Sequence, residues 1–115
     1  MNPLVERFLR STQSRVEVSP GKFIVFRRPL AGDFAEMTAR GKAGPLDMIY
    51  EFTVGWDGFV ELDVFPGGDS VSLPFDKELF CWWIKDHSEH WNKITKAIDD
   101  DLGAHEKRVE DAKKK

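Results

Sequence analysis

The sequence predicts an α+β fold, mainly helical, with an N-terminal helix, one β-hairpin, and then several helices that finish in a long C-terminal one. Three observations predict it. Leu4, Val5, Phe8 and Leu9 recur on one helical face, Val16 and Val18 alternate with polar residues ahead of a turn signal and the strand-like Phe23 to Phe26, and Trp91, Ile94, Ile98, Leu102 and Val109 form a stripe at helical spacing.

Asn2 can cap the first helix, and Pro3 suits its first turn, where a missing N–H costs nothing. That helix is expected to end near Thr12. Val16 and Val18 then alternate with polar residues, Ser19-Pro20-Gly21-Lys22 is a turn, and Phe23 to Phe26 reads as a second strand closed by Arg27-Arg28-Pro29. Between Ala31 and Ala39, Phe34, Met37 and Thr38 permit a short helix, which Gly41 and Gly44-Pro45 break. Leu46, Ile49, Tyr50 and Thr53 resume helical spacing, and this helix is expected to run up to Gly55. Residues 57–74 hold three Gly and two Pro, so a long loop is expected, with extended pieces at Val60 to Phe65 and Val71 to Leu73.

Asp76 is placed to accept from the free amides of the next helix, whose Leu79, Phe80, Trp83 and Ile84 share a face. Ser88 is expected to cap the long helix that follows. Gly103 weakens that helix by about 1 kcal/mol relative to Ala, which makes it a point for bending or fraying. The chain is thus expected to be one domain over residues 1–115, with 104–115 a frayed or mobile helical tail.

The 115 residues suffice for one modest core, and four Trp with nine Phe supply large apolar areas that a core or an interface must hold. A net charge of −3 lacks the basic stripe that phosphate backbones require, so no nucleic-acid partner is expected. The single Cys81 cannot form an intramolecular disulfide, and neither a leader pattern nor a run of about 20 apolar residues is present. A cytoplasmic protein without membrane contact is the expectation.

No residue set assembles chemistry. Cys81, His87 and His90 have no second Cys nearby and straddle a helix break, whereas structural zinc needs four closed ligands. Asp99, Asp100 and Asp101 are consecutive, about 100° apart on a helix, and cannot converge on one ion. Gly67-Gly68-Asp69-Ser70 lacks the Lys and the following helix of a phosphate loop. The expectation is therefore no enzyme, no cofactor and no metal.

What remains is aromatic and apolar surface for protein binding, with Trp56, Phe59, Trp82, Trp91, Leu102 and Val109 as candidate contacts. Trp82 falls outside the apolar face of its helix, so it either anchors a partner or packs beneath the 57–74 loop; Trp56 and Phe59 face the same two alternatives. Leu102 and Val109 are the only sizeable apolar groups late in the long helix. They are either exposed or used in self-association.

One family resemblance bears on these residues. Ile49-Tyr50-Glu51-Phe52-Thr53-Val54-Gly55-Trp56-Asp57-Gly58-Phe59-Val60, a turn-rich connection, Leu73-Pro74-Phe75-Asp76-Lys77-Glu78-Leu79-Phe80 and Asp86-His87-Ser88-Glu89-His90-Trp91 resemble the tail assembly chaperones of long-tailed bacteriophages. Phe23 to Pro29 resembles that family's extended segment, so the likeness spans Lys22 to Ile98. It implies a cytoplasmic protein of phage or prophage that binds and solubilises the tape measure protein and helps recruit tail tube subunits, without staying in the virion. The family's habit of frameshifted extension draws notice to Lys113-Lys114-Lys115. A structural tail or connector component and a small host-directed phage inhibitor are the alternatives.

Overall fold

The computed structural model describes residues 2–114. Its elements in chain order are α1 (Pro3–Ser11), β1 (Gln13–Ser19), β2 (Lys22–Arg27), α2 (Asp33–Ala39), α3 (Pro45–Phe52), β3 (Thr53–Asp57), α4 (Glu61–Val64), α5 (Lys77–Lys85), a 3-10 turn (Ser88–His90) and α6 (Trp91–Lys113). The fold is α+β and mainly helical, as expected.

Local chemistry sets most boundaries. Asn2 Oδ1 accepts from Leu4 N at 2.8 Å and Pro3 opens α1. Asp76 Oδ1 accepts from Leu79 N at 2.8 Å and starts α5. Strands β1 and β2 form the hairpin in an antiparallel register that sets Val16 opposite Ile24, with Gly21 at φ +76° in the turn.

Two expectations about the middle of the chain are corrected. The helix from Pro45 stops at Phe52, and Thr53–Asp57 becomes β3, pairing antiparallel with β2 so that Ile24 faces Trp56 and Val25 faces Gly55. Thr53 shares the helical spacing of Leu46 and Ile49, but the β-branched side chains of Thr53 and Val54 and the aromatic one of Trp56 fit a pleated surface, and β2 offers a free ladder to satisfy their amides. The sheet order is β1-β2-β3.

Residues 58–74 are the second correction, because the stretch expected as extended at Val60 to Phe65 contains the helical turn α4. Asp63 carboxylate accepts from Val60 N at 2.7 Å and closes that turn. The segment folds on itself through Glu61 N to Val71 O at 2.9 Å and Leu73 N to Phe59 O at 2.9 Å. Ser88 also departs from expectation: it opens the 3-10 turn, and α6 begins at Trp91 without a side-chain cap.

The core lies between one face of the sheet and the helices. Ile24 and Phe26 from β2, Ile49 and Phe52 from α3, Phe80 and Ile84 from α5, and Ile94 and Ile98 from α6 are all fully buried or nearly so. Arg27 ties α2 and α3 to the sheet. Its guanidinium donates to Asp33 Oδ2 at 2.9 Å, lies 3.7 Å from Glu51 Oε1 and sits over the Phe52 ring at 4.9 Å. Burial would raise the Asp33 carboxyl, but the Arg27 hydrogen bond, the Leu30 N–H and the Arg27 charge outweigh it and hold Asp33 below its ordinary value.

Two glycines give opposite expectations. Gly58 has φ +80° and a Cβ there would stand 2.0 Å from Gly21 O, so Gly58→Ala should lower stability by several kcal/mol, about 2–4, in urea unfolding. A Cβ at Gly103 meets nothing within 4 Å in mid-helix, so Gly103→Ala should raise stability by up to about 1 kcal/mol in the same measurement.

Candidate protein-binding surface

The six residues expected at a protein contact separate into three groups. Trp56 and Phe59 are core residues, 8% and 3% exposed, which corrects their assignment as surface contacts. Trp56 stacks on Phe59 with ring centroids 4.7 Å apart, meets Phe75 and Trp83 edge-on, and donates its indole N–H to Leu73 O at 2.8 Å. The folded 58–74 segment, which contributes Phe59, thus covers Trp56 and Trp83, and not Trp82. Trp91 is half-buried and donates its N–H to Ile84 O at 2.6 Å, so it fastens α6 to the end of α5.

Trp82, Leu102 and Val109 form the third group, which reaches the surface. Helix α5 turns Phe80, Trp83 and Ile84 inward, and this face leaves Trp82 67% exposed. Lys85 Nζ lies 5.4 Å from its ring centroid. Trp82 borders an open hollow of about 500 Å³ with Lys85 and Asp86, and a second of about 200 Å³ with Tyr50 and Cys81.

Leu102 and Val109 sit together on α6 beyond Ile98, its last buried residue. They face the Arg28 to Ala31 segment across a groove of about 480 Å³. Because this half of the helix outruns the core, the molecule is elongated, 55 × 30 × 29 Å.

A third apolar surface was not singled out from the sequence. Helix α1 buries none of its residues, and Leu4, Val5 and Phe8 are 71%, 45% and 50% exposed. The signal was the four-residue apolar face itself, which periodicity identifies without saying whether anything covers it. No helix among the described residues is long and apolar enough to cross a membrane.

Histidines 87 and 90 occupy a different place from Cys81. Both rings stack beside Trp83, at 4.6 and 5.7 Å between centroids, over a small hollow bordered by Lys22 and Asp63. His87 Nδ1 lies 2.7 Å from Trp83 O and therefore carries the proton it donates there. Lys22 Nζ is 2.9 Å from Asp63 Oδ2, which occupies that carboxylate. No cluster of three or more His, Cys, Asp or Glu among the described residues is arranged to hold a metal. No family model, curated protein or solved structure matches the chain.

Burial lowers the affinity of His90 for a proton; Glu89 opposes this, while His87 and Lys93 add to it. A depressed folded-state value means that the unfolded chain binds the proton more readily, so stability is retained above the ordinary value of 6.5 and declines as pH falls below it. Urea midpoints measured across this range should show that decline, and His90→Gln should flatten it. Asp33 and Asp63, both depressed, contribute a separate loss only below their ordinary value of 3.8.

Proposed function

We propose that the protein is a non-catalytic tail assembly chaperone of a long-tailed phage or prophage. It binds and solubilises the tape measure protein in the bacterial cytoplasm and helps recruit tail tube subunits. The observation that carries this reading is Trp82, a large aromatic 67% exposed on a well-capped helix, within the segment that resembles the family. Exposed Trp is the residue type that most often anchors protein contacts, since a single indole buries a large area with few rotamers to fix. Two open hollows bordered by Trp82 leave room for a partner's apolar side chains.

The proposed role has a clear physical requirement. A long helical tape carries an apolar seam that aggregates unless it is covered before the tube closes round it. An acidic protein with a solvent-facing Trp can cover such a seam by helix-to-groove contact while its own charge keeps the complex dispersed.

Co-expression with the tape measure protein tests the reading: the tape should move from the insoluble to the soluble fraction and co-purify with the chain. Trp82→Ala should lose most of that rescue while shifting unfolding by no more than about 0.5 kcal/mol, as expected for an exposed side chain. No gain in tape solubility, or abundant protein in mature tails, would sink the chaperone reading; the second result would mark a structural tail component.

A further inference from the structure

We propose that the apolar face of α1 docks into the α6 groove of a second copy of this chain, and that two copies exchange the contact reciprocally. The inference uses neither Trp82 nor the family resemblance.

Among the described residues neither half of the contact is covered. Leu4, Val5 and Phe8 face solvent from α1, and the groove beside Leu102, Val109 and Pro29 has no α1 residue in its lining. The two also match in length. Nine helical residues span about 14 Å, and the α6 side of the groove, the twelve residues from Leu102 to Lys113, spans about 18 Å.

Charge supplies the argument for a second copy as the occupant. With 100° between successive residues, Leu4, Phe8, Val5 and Leu9 form one arc of α1; Arg7 borders its Leu4 side and Glu6 its Leu9 side. The groove is polarised in the same sense. Its α6 wall carries His105, Glu106 and Glu110, the last 3.6 Å from the solvent-exposed Lys114 Nζ, the facing segment carries Arg28, and Lys113 stands at the α6 end. One orientation of α1 therefore brings Arg7 to the two glutamates and Glu6 to Arg28 while the apolar arc meets Leu102 and Val109.

Each chain holds one such helix and one such groove, so a two-fold pair satisfies both at once and closes without leaving a free end. Reciprocity also bears on size. Specific interfaces bury about 1,200–2,000 Å² in total, more than one nine-residue helix face supplies, and exchange doubles the contribution.

Sedimentation of the full chain over a broad concentration series should show a monomer–dimer equilibrium. Phe8→Asp and Val109→Asp, both at exposed positions, should each weaken it by roughly tenfold or more, with far-UV circular dichroism unchanged. Arg7→Glu alone and Glu106→Arg with Glu110→Arg should each weaken the dimer, and the three changes combined should restore it. A monomer at every concentration overturns the proposal, whether the groove then holds the chain's own α1 or a different protein. A dimer indifferent to Val109→Asp or to Phe8→Asp overturns it too, as does a combined variant that fails to recover.

Discussion

The packing around Trp56 is the constraint on which the rest of the structure depends. Its indole sits between Phe59, Phe75, Phe80 and Trp83, and its N–H is satisfied by Leu73 O. A buried indole needs both an apolar enclosure and one acceptor, and here the 58–74 segment supplies the acceptor and one wall of the enclosure, with Phe75 and α5 supplying the rest. The 58–74 segment contributes Phe59 on one side and the Leu73 carbonyl on another, so it has to fold back over the sheet. Trp83 follows, since its own N–H reaches Asp63 O at 3.3 Å beneath the same segment.

That arrangement fixes what faces solvent. Once α5 commits Phe80, Trp83 and Ile84 to this cluster, helical geometry sends Trp82 outward. Once α6 seats Ile94 and Ile98 on the sheet and α3, its remaining turns extend past the core and leave Leu102 and Val109 on a groove. A chain of this length has one core, and that core cannot cover every apolar side chain it carries. The surfaces left over are separate: Trp82 on one helix, the groove and α1 elsewhere. A partner bound at one and a second copy of the chain bound at the other would not compete for the same residues.

Much of the fold was legible because it was written in local chemistry. Asn2-Pro3, Asp76 and the Pro20-Gly21 turn act within a few residues of themselves, and the structure uses each as expected. Thr53 was misplaced for the complementary reason. Its spacing from Leu46 and Ile49 continues a helical pattern, and only the proximity of β2, more than twenty residues earlier, makes the extended form better. The 57–74 stretch reads as loop because Gly and Pro dominate it, yet it closes on itself through long-range backbone pairs that composition does not encode. Trp56 and Phe59 were candidates for the surface because an aromatic residue beside a loop signals equally a lid over the core and a contact offered outside.

The sequence by itself determined the α+β class, the order of most elements and the presence of more aromatic area than an ordinary surface holds, because periodicity and capping are properties of neighbouring residues. Only the tertiary structure decided which aromatics are spent inside. Burial depends on which distant segments meet, and adjacent residues such as Trp82 and Trp83 differ only in the direction they leave the helix. The same reason separates α1 from α5. Both show a clean apolar face in the sequence, but α5 finds a sheet and a folded loop to lie against, whereas Leu4, Val5 and Phe8 of α1 stay exposed among the described residues.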